Sequence, residues 1–184
     1  MALLLVAAGG SARADDEPSS VRFEPSVAWG QSDVGWVWEP EVPGLTSRCG
    51  PACAPQVGGG QTVRVGAAMR FGGLSLEAAY GWIGDRGPSG GGRRALSVGV
   101  RLDSASEAAF SLYFRVAWLQ RLGELSGSGG LGGLGLQLRL LGGRATLFAE
   151  AQAEATSVGE PLRDAGAIFS WGTWTGFGLR LGFG

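Results

Sequence analysis

The chain contains no lysine, no histidine and only two cysteines. With lysine missing, all 15 cations are arginine, set against 16 acidic residues for a net charge of −1. A nucleic-acid binder would instead show a basic excess gathered on one face. The missing lysine is also what coding bias alone would produce, so it carries no further reading. Without histidine, the commonest general acid or base near neutral pH is unavailable. Two thiols with no imidazole supply too few ligands for a zinc site. No run of about 18 apolar residues exists, so a transmembrane helix is excluded.

What the sequence does have is glycine, 35 residues in 184. The glycines follow no three-residue period, which excludes collagen. The length suits one domain. At the N-terminus, Ala2 to Ala8 form a short apolar core, followed by Ala12-Arg13-Ala14. Small residues at −3 and −1 predict a signal peptide over 1–14, cleaved after Ala14. No Arg precedes the core, so either the natural start lies upstream or the segment is an unusual buried strand. The acidic Asp15-Asp16-Glu17-Pro18 favours the first, with 15–20 as a solvated tail of the mature chain.

From Val21 onward the pattern has a period of two. Val21, Phe23, Val27 and Trp29 are apolar, while Arg22, Glu24 and Ser26 between them are polar. The alternation returns over Val63–Phe71, Leu74–Trp82, Leu96–Leu102, Phe110–Trp118, Leu134–Leu140, Ala145–Ala153 and Phe177–Phe183. Successive strand side chains point to opposite faces, so each segment is a strand with one apolar and one polar face. Eight strands follow. Ala145 to Ala155 also has the composition of a helix, but the tight Gly142-Gly143 turn and seven neighbouring strands override that reading.

Two architectures use such strands: a soluble sandwich or lipocalin-like barrel with the apolar face inside, and a membrane barrel with that face toward lipid. Three observations favour the membrane. Short turns at Gly72-Gly73, Asp103 to Glu107 and Gly142-Gly143 alternate with longer links at 30–61, 84–93, 120–130 and 157–167, the pattern of periplasmic turns and outer loops. With both termini in the periplasm, Trp29, Trp82, Trp118 and Trp171 fall toward the outer rim, and Phe23, Phe71, Phe110 and Phe183 toward the inner one. Such girdles form where headgroups meet hydrocarbon. Finally, the polar faces carry Arg22, Glu24, Arg64, Arg70, Glu77, Arg101, Arg115, Arg139, Arg144, Glu150, Glu154 and Arg180, interleaved with glycine that leaves room for long side chains. Arg and Glu can pair across a narrow interior, where an unpaired charge is costly.

The expected fold is therefore all-β: an eight-stranded antiparallel up-and-down transmembrane barrel over 21–184. An open sheet would leave edge N–H and C=O groups unpaired in hydrocarbon, so the first strand must pair with the last. Eight strands enclose an interior that side chains fill, which predicts a plugged barrel. Within it, Arg70 is expected diagonally across from Glu77, Arg22 and Glu24 near Arg180, and Arg115 level with Glu150 and Glu154.

The chain from Val21 to Gly184 resembles the small eight-stranded bacterial outer-membrane barrels of OmpA/OmpX type. Its last strand is similar to their C-terminal assembly signal, with Gly178, Leu181 and Phe183 in the matching places and Gly184 as a departure. The resemblance implies a Gram-negative outer-membrane location, insertion by the barrel-assembly machinery, contact with lipid and lipopolysaccharide, and a monomer. No periplasmic domain of the kind OmpA carries is expected, and no activity is implied.

Other features carry less. Cys49 and Cys53 in the first long link are expected to form a disulfide after export; no thioredoxin-like scaffold accompanies them. Trp36-Val37-Trp38 either contacts a partner or continues the first strand above the membrane. Arg93-Arg94 either meets lipopolysaccharide phosphates or ends a solvated loop. Gly-Ser-Gly-Gly at 127–130 and Gly90-Gly91-Gly92 read as flexible loops, since no Lys-Ser/Thr follows them. Barrel-borne hydrolases and acyltransferases mostly use histidine, and Glu150 and Glu154 face an arginine-lined interior. The expectation is no enzyme, no cofactor and no metal. A structural or surface-interaction role is expected, with a narrow channel as the alternative and a soluble lipocalin-like binder as a third reading.

Overall fold

The computed structural model describes residues 21–38, 58–85, 93–105, 108–123, 126–158 and 167–184. The signal segment, the acidic tail, Cys49, Cys53 and Gly90-Gly91-Gly92 lie outside the described residues. Eight strands run in chain order: β1 (Arg22–Trp38), β2 (Gly58–Phe71), β3 (Leu74–Asp85), β4 (Arg93–Asp103), β5 (Phe110–Leu122), β6 (Gly127–Leu140), β7 (Ala145–Ser157) and β8 (Ala167–Leu181). Each pairs antiparallel with its neighbours, and β1 pairs with β8 to close the barrel. The closure continues below the strands proper, where Phe23 and Phe183 exchange two backbone hydrogen bonds of 2.9 Å. The described chain thus has the eight-stranded antiparallel architecture that the alternation predicts.

The register fixes the barrel's shape. Partners traced once round from Ser26, through Gly66, Ala79, Ser97, Leu119, Gly129, Thr156 and Ser170, lead back to Trp36, ten residues farther along β1. Eight strands with that stagger tilt by roughly 40°. Each step round the barrel therefore climbs by about one and a quarter residues.

That climb sorts the outer face by height. Phe23, Phe71, Phe110 and Phe183 all point outward and are exposed. Allowing for the stagger, they fall within about one residue's rise of each other, roughly 3 Å. Trp29, Trp82 and Trp118 also face outward, in a second ring roughly 20 Å higher. Leu, Val and Phe fill the face between the rings. Above the tryptophans the outward positions turn polar, with Gln31, Gln61, Arg94, Gln120 and Thr173. The apolar zone is thus close to the ~25 Å band of a membrane barrel. Trp171 faces outward as well, but beside Gly35 and Ala155, above this polar level and apart from the other three.

The strands outrun the alternating segments. β1 reaches Trp38 and β8 starts at Ala167, so the first strand does continue upward through Trp36-Val37-Trp38. The links shrink accordingly to 39–57, 86–92, 123–126 and 158–166. The third outer link becomes as short as the lower turns. The sequence Gly127 to Gly130 is strand and not loop, with Gly127 paired to Arg121 and Gly129 to both Leu119 and Thr156. Backbone pairing in a closed sheet needs no side chain, and β5 and β7 on either side hold these glycines extended. Glycine is in fact required there: a Cβ on Gly129 would run into the Ala155 carbonyl and the Thr156 Cα.

Candidate functional site

The inward positions form one column of side chains down the barrel axis, and the candidate site is that column. At its lower end Asp103 is fully buried and meets three guanidiniums: Arg101 Nε at 3.0 Å, Arg139 Nη2 at 2.9 Å and Arg70 Nη2 at 3.6 Å. Arg101 donates onward to Glu77 at 2.6 Å, Glu24 at 2.8 Å and Ser75 at 3.0 Å. Arg70 lies 3.6 Å from Glu24 and donates to the carbonyl of Gly72 at 2.8 Å. Arg139 caps the floor by donating to the carbonyls of Ala105 and Ala108 at 2.9 Å.

The network climbs through Glu77, whose second oxygen is 3.0 Å from Arg115 Nε. Arg115 lies 3.6 Å from Glu150, which accepts the Tyr113 hydroxyl at 2.6 Å and an N–H of Gln152. Arg180 donates to Gln137 at 3.2 Å and lies over the rings of Phe148, at 4.1 Å, and Tyr113, at 5.0 Å. Higher still, Arg64 donates to Gln152 and stacks on Trp174 at 4.1 Å. At the outer mouth Arg121 bonds Glu154 at 2.6 Å and also donates to Ser170, which shares a hydrogen bond with Thr156. Among the described residues, cavities of about 40 and 20 Å³ remain open between these side chains, with Arg64 in the wall of both.

Glycine makes this filling possible. A Cβ on Gly135 would fall inside the Tyr113 ring, and one on Gly176 would overlap the Trp174 indole. The interleaved glycines therefore face the bulkiest interior side chains.

Most of the predicted interior residues do point inward, but the predicted pairings change. Arg70 does not meet Glu77. The stagger lifts Glu77 about three residues above it, level with Arg101 and Arg115, and Arg70 turns to Glu24 and Asp103. Glu24 goes to Arg101 in place of Arg180, which faces Gln137 and two aromatic rings. Arg115 reaches Glu150 but not Glu154, which stands about four residues higher and pairs with Arg121. Arg22 is only half-buried at the lower rim, and Arg144 is exposed in the turn after β6.

Sequence reasoning missed Asp103, Arg121, Phe148 and Trp174. Each lies in the inward phase of its strand, two or an even number of residues from a recognised inward position: Arg101, Arg115, Glu150 and Arg180. Asp103 opens the short turn at Asp103 to Glu107, and Trp174 precedes the last alternating segment, Phe177–Phe183. Carrying the two-residue phase past each strand's apparent end would have found both.

A closed eight-strand barrel, apolar outside and filled with paired charges inside, has the architecture of the small eight-stranded outer-membrane barrels. Among solved structures the chain is similar to Neisserial surface protein A, with a TM-score of 0.61 and 13% identity over 88% of this chain and 97% of that one. At that identity the likeness concerns the fold. No protein-family model and no curated protein matches the sequence.

Proposed function

We propose that this chain is an occluded outer-membrane barrel that acts through structure and surface contact and not through transport or catalysis. One observation carries the reading: guanidinium–carboxylate and guanidinium–aromatic contacts cross the axis from Asp103 in the floor up to Glu154, and the cavities among the described residues that Arg64 lines are small, about 40 and 20 Å³. Cavities of that size hold a few waters and do not make a continuous aqueous path. The inverted polarity, with Phe110 60% and Leu134 66% exposed while Arg101 is 1% exposed, supports lipid and not water as the outer solvent. It is the opposite of a soluble lipocalin-like barrel. Glu150 and Glu154, the carboxylates considered for acid–base chemistry, are each engaged by an arginine.

In this reading the signal segment 1–14 exports the chain, and the last strand presents it to the assembly machinery. The barrel works as a monomer. Cys49 and Cys53 close a disulfide in the first outer loop, and the Arg93-Arg94 pair meets lipopolysaccharide phosphates. Outward-facing Arg94, paired with Trp82 and Leu122 above the apolar band, supports that contact, since a guanidinium suits phosphate. An epitope tag inserted in 86–92 should be reached by antibody on intact cells, and one in 104–109 only after the envelope is opened. Reversed accessibility would overturn the orientation, and recovery of the chain in the soluble fraction would overturn the membrane reading.

A further inference from the structure

Among the described residues the filled interior carries more positive than negative charge. Seven arginines point into it (Arg64, Arg70, Arg101, Arg115, Arg121, Arg139 and Arg180) against five carboxylates: Glu24, Glu77, Asp103, Glu150 and Glu154. Arginine does not deprotonate in proteins. Protonating any carboxylate would only enlarge the difference. Among the described residues two positive charges are thus in excess in a low-dielectric column, where an uncompensated charge is strongly disfavoured.

Two of the arginines stand apart from the carboxylates. Five of the seven arginines lie within 4 Å of a carboxylate. Among the described residues Arg64 and Arg180 do not; their partners are the neutral amides of Gln152 and Gln137 and the faces of Trp174 and Phe148. Both line the same cavity of about 40 Å³, with Arg115 as a third guanidinium. The carboxylates in its wall, Glu77 and Glu150, are already engaged by Arg101, Arg115 and Tyr113.

A second observation is independent of charge. Trp174 lines this cavity and is 1% exposed, yet its indole Nε1–H has no hydrogen-bond partner among the described residues. The indole N–H can only donate, and a buried donor without an acceptor is destabilising. The cavity thus offers two guanidiniums with no carboxylate within 4 Å and one N–H donor without a partner among the described residues.

We infer that this cavity is a binding site for one halide-sized monovalent anion, with chloride as the physiological occupant, held by Arg64 and the Trp174 N–H. Its volume suits one such ion with one or two waters. The ion is a buried counter-charge that completes the plug, captured as the barrel closes around it.

The test uses the full chain refolded into detergent, in sodium bromide, sodium chloride or sodium gluconate at equal ionic strength. Crystals grown from bromide should show an anomalous peak inside the cavity. The unmodified protein should melt several degrees higher in either halide than in gluconate, whose anion is too large to enter. Trp174→Phe, which keeps the ring and removes the N–H, should shrink that difference, and Arg64→Gln should abolish it. Should Arg64→Gln not fold, the anomalous map and the Trp174→Phe melt still decide. A bromide-free cavity would overturn the proposal, as would a halide effect of equal size in the unmodified protein and the Trp174→Phe variant.

Discussion

In the lower part of the interior each carboxylate is shared. Asp103 meets three arginines and Arg101 meets three carboxylates, so Glu24, Arg70, Glu77, Arg101, Asp103 and Arg139 form one connected cluster. In the upper part the pattern is different. Arg121 and Glu154 form a single pair, while Arg64 rests on an amide and an indole, and both cavities border it. The same inward residue types therefore give a cross-linked floor and a loosely packed upper column. In the floor, each side chain fixed by one partner is already ordered for the next, which lowers the entropic cost of every further ion pair. The upper column gains less from its contacts and keeps more freedom to rearrange.

If that contrast is right, substitutions should rank by height in the barrel. Asp103→Ala should have the largest effect, because it leaves three buried guanidiniums short of a partner. Breaking a buried pair costs on the order of 3–5 kcal/mol, and a urea titration of the detergent-folded barrel, read by its heat-modifiable gel mobility, should show a loss of that size. Glu77→Ala should cost less, roughly 2–3 kcal/mol, since Arg101 keeps Glu24 and Asp103 while Arg115 keeps Glu150. The smallest effect belongs to Glu154→Gln near the outer mouth, about 1 kcal/mol, because the amide oxygen can still accept from Arg121. An Asp103→Ala loss no greater than that of Glu154→Gln would erase the distinction between floor and upper column.

The fold was legible because a period of two is a direct consequence of strand geometry, and it recurs wherever the wall has an apolar outer face. Strand ends were less so. Toward and above the top of the apolar band the outward face turns polar while inward Val34, Leu119 and Leu131 are apolar, so the alternation that marks a strand breaks down while the pairing continues, as at Gln31, Asp33 and Gly127 to Gly130. Which residues point inward could be read from phase alone. Which inward residues touch could not, because contact across the axis depends on the ten-residue stagger, a property of the closed sheet and of no single strand. That is why the expected Arg70–Glu77 contact does not form, and why Arg115, expected level with both Glu150 and Glu154, meets only Glu150 of the two. The glycine facing Tyr113 was foreseen in kind, as room for long side chains, but its particular occupant became visible only with the register.

The central claim is that these contacts close the axis, and ionic current tests it most directly. The purified, refolded barrel inserted into a planar lipid bilayer should show no steady conductance, only rare small openings, and Asp103→Ala or Glu77→Ala should make openings more frequent. A stable, ion-selective conductance in the unmodified protein would contradict the account and identify the barrel as a channel.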